Sequence, residues 1–151
     1  MITFAVENWF EVRDQMAIHW PEHWAEVALN KDTIPLDPDF DSYDMYANGG
    51  MLHIVVARKQ GAVVGYHVSI VRPHLHYRKS LSAFTDVYYV APPYRTGRTP
   101  LRLFEFVEKT LKARGVQKIF TGTKLSLDAG PLFKHMGWTP TETLYTKYIG
   151  G

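Results

Sequence analysis

Two consecutive prolines constrain this chain more than any other feature. Pro92 and Pro93 follow Thr85-Asp86-Val87-Tyr88-Tyr89-Val90, a β-branched and aromatic run that alternates like a strand. Neither proline can donate a backbone N–H, so the ladder ends there. Arg95-Thr96-Gly97-Arg98-Thr99 comes next, then Pro100, whose preset φ suits a first helical turn. Free amides at a helix start, flanked by two guanidiniums, suit a phosphate or pyrophosphate.

The helix that begins at Pro100 runs to Arg114, with Leu101, Phe104, Val107 and Leu111 as its apolar stripe and Gly115 as its stop. Upstream, Asn8 caps a helix with Trp9, Val12, Met16 and Trp20 at helical spacing, interrupted at Pro21. Residues 30–42 form an acidic, proline-broken loop, and Tyr43–Asn48 a short helix stopped by Gly49-Gly50. Met51–Arg58 and Ala62–Val71 are β-rich runs joined in a hairpin by Lys59-Gln60-Gly61. Arg72–Lys79 is expected as a loop, Leu81–Val90 and Val116–Thr121 as strands, Pro131–Met136 as a short helix, and Trp138–Ile149 as a last strand or hairpin. The length is that of one domain, residues 1–151, able to bury a core.

Charge is uneven. Residues 1–50 hold ten acids against Arg13 and Lys31, a net −8, whereas residues 51–151 hold five acids against fifteen Lys or Arg, a net +10. An anionic cofactor on the basic part and a cationic acceptor near the acidic part fit that asymmetry. There is no cysteine, which excludes disulfides, thiolate metal sites and a Cys nucleophile. His19 and His23 share a helix face, but no third ligand accompanies them, so aromatic packing is expected rather than a metal. His74 and His76, spaced by one residue, suit substrate contact ahead of a metal or a base, with local packing in a loop as the plain alternative. No apolar stretch approaches the roughly 20 residues that span a bilayer, and the N-terminus has no signal-peptide pattern, so a cytoplasmic protein without membrane partner is expected.

The stretch Tyr88-Tyr89-Val90-Ala91-Pro92-Pro93-Tyr94-Arg95 followed by Thr96-Gly97-Arg98-Thr99-Pro100 resembles motif A of the GNAT superfamily, the Gcn5-related N-acetyltransferases. Arg98 and Pro100 stand where that family usually has glycines. Ser126, Ala129, Leu132-Phe133 and Gly137-Trp138 fit the spacing of a second family pattern, in which the residue at Ser126 is an asparagine touching pantetheine and the one at Phe133 a tyrosine general acid. The Tyr94–Arg102 and His74–Tyr77 regions also bear a general likeness to small bacteriophage-encoded members.

The resemblance implies a mixed α/β fold: a central, mostly antiparallel twisted sheet, splayed between its fourth and fifth strands, with helices on both faces. It implies transfer of an acetyl group from acetyl-CoA to a primary amine by direct attack, without a metal. The cofactor would meet Tyr88, Tyr89, Val90, Arg95, Thr96, Gly97, Arg98, Thr99, Ser126 and Phe133. Asp86 stands where several members carry the base, and pairing with a Lys or Arg explains it equally well. Phe133 cannot donate a proton, so Tyr88, Tyr89 or Tyr145 would replace the tyrosine. On a regular strand Asp86 shares a face with Tyr88. A non-catalytic binding module on the same fold, meeting a protein or nucleic acid, is the alternative. The basic residues are largely accounted for by cofactor phosphates, which argues against nucleic acid. A homodimer is compatible with these features.

Overall fold

The computed structural model describes residues 1–151. Its strands are β1 (Ile2–Val6), β2 (Leu52–Lys59), β3 (Ala62–His74), β4 (Tyr77–Val90) and β5 (Lys118–Phe120). Its helices are α1 (Trp9–Ala17), α2 (Trp20–Val27), α3 (Phe40–Asn48), α4 (Thr99–Ala113) and α5 (Gly130–His135). One sheet orders the strands β1-β2-β3-β4-β5; every pair is antiparallel except β4–β5. The fold is the mixed α/β arrangement expected, with no helix long and apolar enough to cross a membrane.

Both faces of the central strands are covered, which is why β2 and β3 read as nearly continuous apolar runs. On one face α1 sends Trp9, Val12 and Met16 onto Ile54, Val56, Tyr66, Val68 and Tyr89. On the other, α4 buries Leu103, Phe104, Val107 and Leu111, with Leu103 rather than Leu101 completing the stripe. Four such side chains contribute roughly 6–12 kcal/mol of burial.

Three expectations need correction. Arg72–Lys79 is strand rather than loop: Arg72 pairs Ser82, Pro73 pairs Leu81 and His74 pairs Tyr77, leaving only Leu75-His76 as the turn. Pro73 is tolerated because the register shifts beside it. The strand read at Val116–Thr121 shrinks to Lys118–Phe120, paired only with Ser82–Phe84. The last strand is missing: from Thr139 onward the chain has no regular structure, and Leu144, Tyr145 and Ile149 stand 86–89% exposed. Strand propensity is a preference for a half-buried pleated surface, and this segment lies against none.

Candidate active site

Asp86 sits on a β-bulge. Val68 pairs Val87, but the next residue, Ser69, pairs Thr85, so Asp86 is the extra residue of β4. A bulge breaks alternation and re-aims a side chain. Here it turns two successive residues to the α1–α3 side: Val87 packs on that core, and Asp86 accepts a hydrogen bond from the Tyr43 hydroxyl of α3. Tyr88 faces the other way, against Phe104 and Phe133. The expectation that Asp86 shares a face with Tyr88 is therefore corrected.

Several contacts hold Tyr43 in place. The Asp39 carboxylate caps α3 by accepting from Ser42 N. Asp44 accepts from Trp9 Nε1 at 2.7 Å and from Arg13 at 3.2 Å, tying α3 to α1, and the Tyr43 ring stacks on Trp9 at 4.7 Å. The Asp86 carboxylate is open to solvent yet crowded by neighbouring protein. That crowding pushes its pKa above the usual carboxylate range, and the Tyr43 bond offsets part of the rise. Burial, with Asp86 alongside, drives Tyr43 far above its usual value, so the phenol stays a donor.

Next along the same face lie Tyr66 and Tyr89, opposite each other in the β3–β4 register, with the His23 ring stacked on Tyr89 at 5.1 Å. Tyr66 Oη and His23 Nδ1 are 3.4 Å apart. Burial lowers the His23 pKa, which favours the neutral ring. His19 reaches the Val63 carbonyl at 2.8 Å, and its ring, like that of His23, packs against Tyr89. Sequence reasoning missed Tyr43 as the partner of Asp86, and the pairing of Tyr66 with His23 farther along the face. The acidity of residues 30–44 was the only signal that this region faces a site.

The turn before α4 follows a single 3-10 turn, Pro92–Tyr94. Thr96, Gly97, Arg98, Thr99 and Leu101 all present backbone N–H groups without a protein acceptor, and Pro100 has none to give. Gly97 takes φ +79°, a left-handed conformation that L side chains resist. Arg98 is exposed and makes no ion pair. Arg95 is engaged elsewhere: it donates to Glu26 of α2 and to the Val90 carbonyl, each at 2.7 Å, and lies over the Tyr89 ring. Gly65 lets β3 close on this end of β4, since a Cβ there would stand 2.9 Å from the Tyr89 carbonyl.

Beyond Phe84 the strands β4 and β5 part, and Tyr88 Oη donates across the gap to the Gly122 carbonyl at 2.8 Å. Burial raises the Tyr88 pKa. Phe133 is buried between Phe104 and Trp138, at centroid distances of 5.0 and 5.2 Å. Ser126 is exposed in the loop before α5. Tyr145 is 89% exposed and touches none of these groups. His74 and His76 lie at the β3–β4 hairpin tip, among Tyr77, Phe84 and Phe120. His74 thus packs on Phe84, two residues from Asp86 in β4, while the hydrogen bond that Asp86 accepts comes from Tyr43. No three His, Cys, Asp or Glu side chains are grouped to hold a metal ion.

An open turn of free amides with an unpaired arginine, leading into a splayed strand pair, fits the pyrophosphate and pantetheine of coenzyme A. Solved structures of low identity share this fold. An aminoglycoside acetyltransferase from an uncultured soil metagenomic sample is 15% identical, with 100% of this chain and 99% of that one covered at a TM-score of 0.76. Ribosomal-protein-alanine N-acetyltransferase from Brucella melitensis biovar Abortus 2308 is 14% identical, with 99% and 100% covered at 0.73. A predicted acetyltransferase with acetyl-CoA from Clostridium acetobutylicum is 13% identical, with 98% and 96% covered at 0.71. No curated protein matches the sequence. The profile of the Acetyltransferase (GNAT) family matches residues 10–138, and the chain belongs to that family.

Proposed function

We propose that this chain transfers the acetyl group of acetyl-CoA to a cationic primary amine by direct attack, with Asp86 as the base. The observation that carries this reading is the bulge, which turns one carboxylate out of the sheet, beside the splay, and hydrogen-bonds it to Tyr43. An alkyl amine is almost wholly protonated at neutral pH, so attack requires proton removal. A carboxylate whose pKa is raised by its surroundings is better matched to that task than an ordinary one.

The free amides of Thr96, Gly97, Arg98, Thr99 and Leu101 and the Arg98 guanidinium would hold the pyrophosphate. Tyr88, Tyr89 and Val90 line the splay where the pantetheine arm would lie, with Ser126 and Phe133 on its far side. Acetyl-CoA supplies a thioester, whose carbonyl carbon is open to the amine. Tyr88 spans the splay and stays protonated, so it would serve the departing sulfur; the exposed Tyr145 takes no role. The acceptor is cationic on electrostatic grounds: Asp37, Asp39 and Asp41 flank the start of α3, which carries Tyr43. Similar structures include enzymes named for aminoglycosides, glucosamine 6-phosphate and ribosomal-protein alanine, so the acceptor panel should sample all three. The packed Phe133 ring, which has no proton to give, favours one other reading, a fold that binds acetyl-CoA without turnover.

Calorimetry with acetyl-CoA on wild type and Arg98→Ala tests the cofactor half, and CoA release with a panel of amines tests the rest. Binding weakened in the variant, with turnover on a cationic amine, supports the proposal. Binding without turnover on any amine supports the second reading. No binding to wild type overturns both.

A further inference from the structure

Two histidines lie buried beneath α4. His53 of β2 and His67 of β3 are 2% and 0% exposed. Both point to the α4 side: His53 meets Thr110, and the His67 ring meets Phe104 edge-on at 5.5 Å. Neither belongs to the site around Asp86 or to the turn before α4.

The hydrogen bonds around His53 fix the place of its proton. The Thr110 hydroxyl donates to the Phe106 carbonyl at 2.8 Å, so its oxygen accepts from His53 Nε2–H, also at 2.8 Å. The other ring nitrogen, Nδ1, faces Arg114 Nη1 at 3.3 Å. A guanidinium only donates, so Nδ1 is the lone-pair nitrogen of a neutral ring. Arg114 caps the end of α4 and donates as well to the Leu52 carbonyl at 2.8 Å and the Gly50 carbonyl at 2.7 Å. Gly50 is itself tied to α3, since its N–H donates to Ala47 O. One guanidinium thus fastens the C-terminal end of α4 to β2 and to the end of α3, and neutral His53 is its third acceptor.

A proton added to Nδ1 sets an N–H and a positive charge against Arg114. Arg114 is the charged group that faces His53 from α4, and His67 is the titratable one on β3; β4 adds Tyr88, the register partner of His67. No carboxylate bonds to either ring. Burial, with Arg114 alongside, holds the His53 pKa down to about 4, and burial with His53 nearby holds that of His67 lower still. An unfolded-chain histidine titrates near about 6.5. The stability that neutral His53 contributes is therefore complete above that pH and is lost as pH falls from about 6.5 toward about 4.

We propose that His53 and Arg114 form a proton-sensitive latch: neutral His53 lets Arg114 seat the C-terminal end of α4, and a proton on His53 unseats it. The inference rests on the fold and does not depend on acetyl transfer, and no substrate enters its test.

Urea unfolding at about pH 7.5 and about pH 5 is compared for wild type, His53→Gln, Arg114→Gln and Arg114→Lys. The wild-type unfolding constant should rise at the lower pH, with His53 contributing about ten- to thirtyfold. His53→Gln keeps a donor and an acceptor but does not titrate, and should remove that share of the rise. Arg114→Gln should remove about two- to fivefold of it, whereas Arg114→Lys keeps the charge and the wild-type steepness. A packing role for Arg114 lowers stability equally at both pH values in both variants, and that result overturns the proposal. So does a rise left unchanged by His53→Gln. Should that variant fail to fold, the wild-type ring decides: its nitrogen NMR shifts at neutral pH should show the neutral Nε2–H form, and a charged ring or an Nδ1–H tautomer overturns the latch. Amide exchange reads the unseating itself. Gly115 and Val116, whose N–H groups donate to Lys112 O and Leu111 O, should lose protection relative to Val55 of β2 at the lower pH, and an unchanged ratio sinks the idea.

Discussion

The turn after β4 and the bulge within β4 lie within about a dozen residues of each other, and they are built on opposite principles. The turn is local: two prolines, one left-handed glycine and a helix start determine its amides, whatever the rest of the chain does. The bulge is non-local, existing only because Ser69 of β3 pairs with Thr85 instead of Asp86. The difference teaches where chemistry can be read from spacing and where it depends on a neighbour's register. Within the turn the same lesson applies to its two arginines. Arg95 is drawn into the fold by Glu26 of α2, some seventy residues away in sequence, and Arg98 is left free.

The largest expected effect tests the bulge. Asp86→Asn should lower kcat/KM for the amine by about 10²–10⁴-fold, the usual worth of a positioned general base. Acetyl-CoA affinity, measured separately, should stay within about twofold, because the turn does not touch Asp86. If binding and turnover fall together, the two regions are not separate and the comparison breaks.

The arginine pair sharpens the same contrast. Arg98→Ala should weaken acetyl-CoA binding by about tenfold, one charge-assisted contact, while leaving the urea midpoint nearly unchanged. Arg95→Ala should reverse that pattern at first order. It removes a part-buried ion pair and a bond to Val90 O, and should destabilise by about 1–2 kcal/mol. Equal effects of the two substitutions on binding would return Arg95 to the phosphate. Gly97→Ala should destabilise by about 1 kcal/mol, since alanine resists φ +79°, and should weaken acetyl-CoA binding alongside. An unfolding curve and a calorimetric titration on the same preparation read both quantities.

The sequence made the turn, α4, the β2–β3 hairpin and the splay legible because each depends on residues close in the chain or on a family pattern that spans them. It did not reveal the Asp86–Tyr43 pair, since a strand without its partner gives no sign that alternation breaks at residue 86. The same limit explains the strand expected at Trp138–Ile149. Its composition is right, but composition alone does not seat a segment on a sheet edge. His74 and His76 suggested a site by their spacing; the structure sets them at the tip of the β3–β4 hairpin, with the His74 ring against Phe84. Phe133 was visible as a lost proton donor, whereas its place in an aromatic stack with Phe104 and Trp138 was not.

The smallest expected effect probes the bulge most closely. Tyr43→Phe keeps the ring on Trp9 and removes only the hydrogen bond to Asp86. That bond favours the carboxylate, opposing the burial that raises its pKa. Without it the Asp86 pKa rises further, and the carboxylate forms only at higher pH. The acid limb of kcat/KM should therefore move to higher pH in the variant, with the rate above that limb lowered by only about three- to fivefold. Were Tyr43 merely a packing residue, the limb would stay where it is in wild type while stability alone changed. A shift to lower pH would mean that Tyr43 holds Asp86 protonated, and Asp86 would then act as an acid toward the leaving group rather than as the base for the amine.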